Sequence, residues 1–221
     1  MGGKAMFLQD VELFRDLPQE DLERIASLAI ERNYDKGEYV FMEGQTREAI
    51  YFVERGLIKV FKVDEEGREQ IVNIMGPPQM FPHVGFFDNT PYPGTAEVLT
   101  PAVLWSIHSK RFDELMTANP QIMKRLMSVM GRRIRQLQGK LQELALFDAR
   151  QRVEALLRHF CEEHGHPEQG GIRLKLPVTH TELAQMVGMS RESVNRIWNQ
   201  LRREGLIERN KEDWIIHPDW T

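Results

Sequence analysis

One stretch, THTELAQMVGMSRESVNRIWNQLRREGLI over residues 179–207, constrains the fold more than any other part of this 221-residue chain. Thr179 followed three residues later by Glu182 is a capping box, in which the two residues satisfy each other's free backbone N–H groups at a helix start. Leu183, Ala184, Met186 and Val187 give that helix an apolar face. Gly188 stops it, because glycine enters a left-handed turn without steric penalty. Ser190 caps a second helix, on which Val194, Ile197, Trp198 and Leu201 recur at helical spacing and pack inward. Gly205 closes it. Leu206-Ile207 and Trp214-Ile215-Ile216 then read as two strands across a polar turn, Asn210 to Asp213. The pattern predicts a helix-turn-helix followed by a β-hairpin wing.

The outer faces of the second helix carry Arg191, Glu192, Ser193, Asn195, Arg196 and Asn199. Arg191, Glu192 and Arg196 lie close to its N-terminus and point from one side. Arginine can bond guanine O6 and N7 together, and glutamate can accept from the cytosine amino group. Taken alone, three charges on a helix read as a solvated face with an Arg–Glu pair. Within an intact helix, glycine turn, serine cap, helix and wing, they read as a head for base edges in the major groove. The partner so implied is double-stranded DNA.

The run VGMSRESVNRIWNQLRREGLI resembles the DNA-reading segment of the cyclic-AMP receptor / fumarate–nitrate regulator (Crp-Fnr) family of bacterial transcription factors, with its S-R-E-(S/T)-V-x-R signature. The resemblance implies Arg191, Glu192 and Arg196 as base readers of a half-site resembling TGTGA. Asn195, assigned with them to base reading, replaces the small residue commonly found there. Thr179 and His180 match positions that touch phosphates, and Ser190 and Ser193 are assigned with them. The resemblance also implies a homodimeric activator of transcription with RNA polymerase as a partner.

The net charge of −4 runs against DNA binding until the chain is divided. Residues 1–108 hold 10 basic and 18 acidic side chains (−8), residues 109–147 hold 8 and 3 (+5), and residues 148–221 hold 11 and 12 (−1). The acidity is N-terminal, and the basic residues of the last segment must gather on one face. No apolar run approaches a membrane span and no signal peptide is evident, so a cytoplasmic protein is expected. Met1-Gly2-Gly3-Lys4 reads as a loose tail. The single cysteine, Cys161, excludes an internal disulfide framework and an iron–sulfur sensor, which needs about four.

Residues 7–32 read as helix with a break at Leu17-Pro18. From Tyr34 to about Ile107, short β-branched and aromatic runs (YVFM, AIYFVERG, LIKVFKV, EQIVNIM, AVLWSI) are punctuated by glycines, which predicts an antiparallel β-roll. The pattern KGEYVFMEGQ…IYFVERGLIKVFK resembles the cyclic-nucleotide-binding roll of the same family. The fold class is therefore α+β: a nucleotide-binding-like sensor domain over 1–110, a central dimerisation helix over 111–147 and a winged helix-turn-helix over 148–221.

In nucleotide-binding members a loop supplies a Gly-Glu pair and then an arginine for the ribose and cyclic phosphate. The matching stretch here, MFPHVGFFDNTPYPGTAEV, places Pro82-His83 and Gly94 at those positions, and the adenine-touching Thr-Ser pair aligns with Leu137-Gln138. No Arg or Lys lies between Arg68 and Lys110. A cyclic phosphate buried without a counter-charge is very costly, so cyclic AMP is expected not to bind. The proline-rich aromatic loop leaves two readings: Phe81, His83, Phe86, Tyr92 and Leu137 line a pocket for an unknown small effector, or the rings fill the space a nucleotide would take. Haem on His83 is an alternative; a lone histidine is more often structural, and no cofactor is assigned.

Met123, Met127, Met130, Ile134, Leu137, Leu141 and Leu144 follow spacings of 4, 3, 4, 3, 4 and 3, a heptad seam suited to a parallel coiled coil between two copies. A face packed on its own domain would give a wider stripe. The helix should end near Phe147-Asp148, ahead of a further helix from about Ala149 to Glu163. The cluster His159, Cys161, His164 and His166 has zinc-ligand types, yet it runs into Gly165, Pro167, Gly170 and Gly171, which reads as a solvated loop, and no metal is assigned. A metal-dependent β-barrel enzyme would need several converging histidines, and the roll has only His83 and His108. A nucleotide-sensing module acting on a partner protein leaves the reading helix unexplained.

Overall fold

The computed structural model describes residues 2–88, 90–168, 170–175, 178–210 and 213–217. The chain divides into two compact units, one of residues 1–67 and 72–137, the other of 68–71 and 138–221.

The first unit begins with α1 (Gly2–Asp10), a single 3-10 turn (Glu12–Phe14) and α2 (Gln19–Leu28). Gly2 to Lys4, read as a tail, belong to α1; Met1 lies outside the described residues. Helix was expected to run on to residue 32. Instead the chain turns extended at Ala29 and forms β1 (Ile30–Tyr34). The cause is long-range: β1 pairs with β6 (Thr95–His108), Ile30 against Ser106, and the Ser106 hydroxyl donates to the Ile30 carbonyl at 3.2 Å. The other strands are β2 (Tyr39–Phe41), β3 (Ala49–Val63), β4 (Glu69–Met75) and β5 (Met80–Phe81). They form one sheet in the order β1-β6-β3-β4, with β2 on β6 and β5 on β3.

Two apolar clusters fill this unit. One joins the N-terminal helices to the sheet through Phe14, Phe52, Phe112, Ile122 and Leu126; the other lies within the roll around Phe41, Tyr51, Phe81 and Tyr92. The stretch expected as one helix from residue 111 is divided into α3 (Ser109–Ala118) and α4 (Pro120–Leu146). Proline cannot extend α3, and it opens α4 with the Asn119 side chain accepting from the backbone N–H groups of Gln121 and Ile122 at 3.1 and 3.3 Å.

The second unit holds α5 (Ala149–His164), opened by a capping box between Asp148 and Gln151. After it comes β7 (Gly165–Glu168) and β8 (Gly171–Leu174), where a solvated loop was expected. The glycines and proline suggested a loop, but Ile172 and Leu174 find partners 44 and 40 residues later in Ile216 and Trp214. Then follow α6 (His180–Val187), α7 (Arg191–Arg203), β9 (Ile207–Asn210) and β10 (Asp213–Ile216), in a sheet ordered β7-β8-β10-β9. Lys211 and Glu212 of the expected polar turn lie outside the described residues. Val194, Ile197, Trp198 and Leu201 are buried, each stabilising the unit by about 1.5–3 kcal/mol.

Candidate nucleic-acid interface

The α6–α7 turn is assembled from local chemistry. The Thr179 hydroxyl accepts from the Glu182 backbone N–H at 3.2 Å, and the Glu182 carboxylate accepts from the Thr179 backbone N–H at 2.7 Å. Gly188 sits at φ 66°, ψ 43°, left-handed as required. The Ser190 hydroxyl accepts from the Ser193 backbone N–H at 3.2 Å and donates to the Ser193 hydroxyl at 3.1 Å. Two of the residues assigned to phosphate thus already hold each other at the helix start, where the dipole favours an anion.

Arg191, Glu192 and Arg196 are all exposed on the early turns of α7. Among the described residues they form no hydrogen bond or ion pair with one another or with a neighbour, so the Arg–Glu pair of an ordinary solvated face is not made. Asn195 and His180 come together. The Asn195 side chain hydrogen-bonds the His180 ring, whose pKa is lowered by burial, raised in part by that bond and lowered again by Arg191. The His180 ring also lies 5.2 Å from Trp198, which meets Trp214 edge-on at 4.8 Å. Asn195 also accepts from Asn199 at 3.4 Å. It is therefore tied to the frame, unlike the three charged side chains.

An ion-pair brace not foreseen from sequence holds α7 to α5. Arg150 donates to both carboxylate oxygens of Glu204, at 2.9 and 2.7 Å, and to Glu154 at 2.7 Å. These bonds raise the Arg150 pKa, and those from Arg150 and Gln200 lower that of Glu204.

The five residues proposed for an effector pocket do not gather in one place. Tyr92 stacks on Phe41 at 3.8 Å and 5°, and Phe81 lies 5.5 Å from Tyr51, all within the roll. Phe86 belongs to the other cluster, 5.8 Å from Phe112. Leu137 is exposed. His83 is half-buried, and burial first, then Arg133, push its pKa down to about 4. At Gly94 a Cβ atom would start 2.9 Å from the Phe61 carbonyl oxygen, so a side chain there requires the backbone to move. The roll does hold two buried cations. Lys59 pairs with Glu97 at 2.9 Å, and Arg47, 8% exposed, donates to the Asp88 carbonyl at 3.2 Å. Neither is signalled by sequence, because their partners lie 38 and 41 residues away.

The seam of α4 has two environments. Met123 and Met130 are partly buried against their own unit's apolar cluster, beside fully packed Ile122 and Leu126. Met127, Ile134, Leu137, Leu141 and Leu144 are exposed, Met127 at 70%. Cys161 is buried and its thiol is pushed up to about 11, while burial lowers His159 and His164. His166 is exposed on β7. Among the described residues, no three His, Cys, Asp or Glu side chains are placed to hold a metal ion. His108 caps α3, accepting from the Lys110 backbone N–H.

Comparison with known proteins bears on both units. The family described as Cyclic nucleotide-binding domain matches residues 31–119, and the Crp-like helix-turn-helix domain matches residues 151–221. A Mycobacterium tuberculosis protein, CRP-like cAMP-activated global transcriptional regulator, is 30% identical over 83% of this chain and 82% of its own length. The Anaerobic regulatory protein of Bacillus subtilis is 27% identical over 91% of this chain and 85% of its own. Among solved structures, FixK2 from Bradyrhizobium japonicum shares the fold with a TM-score of 0.76 at 20% identity, over 85% of this chain and 92% of that one. No described helix is long and apolar enough to cross a membrane.

Proposed function

The chain belongs to the Crp-Fnr family of DNA-binding transcription regulators, and from that premise we propose that it acts as a homodimer reading a palindrome of TGTGA-like half-sites without cyclic AMP. Arg191, Glu192 and Arg196 read base edges, and Asn195 orients His180 beside them. Thr179, His180, Ser190 and Ser193 meet backbone phosphates, and RNA polymerase is the partner in activation. The observation that carries the reading is that the three charged side chains stand exposed on a doubly capped frame with no hydrogen bond or ion pair among the described residues. Independence from cyclic AMP is supported by the rings packed within the roll, by the tight approach at Gly94, and by the pairing of Lys59 with Glu97. The exposed residues Met127, Ile134, Leu137, Leu141 and Leu144 provide the seam for a second copy, to which Met123 and Met130 contribute one flank.

Changing Arg196→Ala tests the reading head. Loss of a bidentate base contact should remove about 1–3 kcal/mol of discrimination per half-site while nonspecific binding largely remains. Equal loss on the palindrome and on scrambled duplex would reduce Arg196 to a phosphate contact. A second reading, a small effector held at the loop around His83, draws on one observation, an imidazole kept neutral at the roll's edge. A haem band in the absorbance spectrum of purified protein, or a shift in melting temperature with a candidate ligand, would favour it.

A further inference from the structure

We propose that the cavity bordered by α7, the start of α6 and the wing binds a small planar aromatic carboxylate. The cavity holds about 450 Å³, within the range of pockets that take small organic ligands. One wall is a single face of α7, since Asn195, Trp198, Asn199 and Arg202 follow the i, i+3, i+4, i+7 spacing of a helical stripe. A second wall comes from α6, with His180 and Leu183. The third comes from the wing, where Arg209 of β9 and Trp214 of β10 pair directly across the strands and so share one side of the sheet.

Rings and cations meet in this cavity. The His180 ring lies 5.2 Å from Trp198, which meets Trp214 edge-on at 4.8 Å, and a further flat ring extends such a cluster favourably. Trp198 is 2% exposed, yet its Nε1–H has no acceptor among the described residues. The other buried indole, Trp105, donates to the Glu54 carboxylate at 2.7 Å. An unmade bond on a buried donor is costly, so an occupant that brings an oxygen to Trp198 gains what the protein withholds. Arg202 supplies the charge. It is exposed, and its guanidinium forms no hydrogen bond or ion pair among the described residues. It can hold a carboxylate through two parallel bonds. No Asp or Glu among the described residues borders the cavity, which disfavours a cation. A phosphodiester would engage the arginines and leave the rings and the indole N–H unused. Thr179, His180 and Asn195 also border the cavity. They belong to the surface proposed to meet DNA, so on that reading the ligand and the duplex exclude each other.

The test uses the full chain with nitrogen-labelled tryptophan and cinnamate as the probe, read by the indole N–H signals. Cinnamate should move the Trp198 signal saturably and leave that of Trp105 in place. Cinnamamide, which has the same ring without the charge, should bind more weakly by about tenfold or more, and Arg202→Gln should weaken cinnamate by a similar factor. An unmoved Trp105 signal in the variant shows that the fold is kept. A Trp198 signal that cinnamate does not move overturns the proposal. So do equal affinities for acid and amide, or for wild type and Arg202→Gln. A Trp198 signal moved by scrambled duplex and not by cinnamate assigns the cavity to DNA phosphate and overturns it too. Competition tests the consequence separately: cinnamate should lower affinity for a TGTGA-like palindrome. Cinnamate bound without that loss keeps the ligand site and contradicts the shared surface. If the wild-type chain shows no preference for the palindrome, the reading-head proposal fails, and the indole signals still judge the site.

Discussion

The turn at Gly188 and the loop at residues 82–94 both present side chains from a frame, and different forces hold them. The turn is fixed by contacts three or four residues apart: Thr179 with Glu182, Ser190 with Ser193, and a left-handed glycine. The loop is fixed from afar. Gln45 and Gly44 bond the Tyr92 backbone, Arg47 reaches Asp88, and Phe112 packs on Phe86. The first arrangement leaves three charged groups without a hydrogen bond or ion pair among the described residues. The second turns Tyr92 inward against Phe41 and Phe86 against Phe112, and leaves Phe87 exposed. One region is organised for a partner, while the other is held mainly by packing within its own unit.

Removing a ring from the roll should produce the largest effect. Phe41→Ala deletes a side chain that stacks on Tyr92 and lies 5.8 Å from Phe81. A loss of about 3–5 kcal/mol is expected in thermal or denaturant unfolding of the first unit. Base discrimination by the folded fraction should not change. A variant that kept its stability and gained nucleotide binding would show that the rings occupy a ligand site rather than a core.

A smaller loss is expected at the turn. Ser190→Ala removes the cap of α7 and should cost about 1 kcal/mol. The loss should appear in unfolding of the second unit, followed by hydrogen exchange on α7, with protection of the roll strands unaltered. If protection in the roll fell equally, the two regions would not be separable in the way their contacts suggest.

A further effect concerns acid. His83 has a pKa of about 4 in the folded chain against 6.5 for an ordinary histidine, because burial and Arg133 disfavour its charge. Between those values the unfolded chain binds more protons, so stability falls as pH drops from 6.5 toward 4. His83→Gln should flatten that fall in melting temperature without affecting it above pH 7. Parallel curves for the two proteins would place His83 in water. His159, His164 and His180 are also lowered and contribute to both curves alike.

The same contrast explains what could be read from the chain alone. The capped helices, the glycine turn and the inward face of α7 were legible because each signal lies within one or two helical turns of its consequence. The hairpin β7–β8 was not, since Gly165, Pro167, Gly170 and Gly171 speak for a loop and the strand that overrules them comes some 40 residues later. The helical reading of residues 30–32 failed for a similar reason, with pairing partners in β6. The heptad on α4 has the expected period, but periodicity does not say what covers a face: Met123 and Met130 meet their own unit, while Met127 and Leu141 stand exposed. Arg47, Lys59 and the Arg150–Glu204 brace carried no local signal at all.

The central claim is that the reading head works without the nucleotide that would ordinarily occupy such a roll. Its most direct test is the affinity of purified protein for a duplex carrying a TGTGA-like palindrome, with and without millimolar cyclic AMP. Specific binding with nothing added, and the same affinity and melting temperature in the presence of the nucleotide, is the predicted result. Binding that appears or tightens markedly only with cyclic AMP would contradict it.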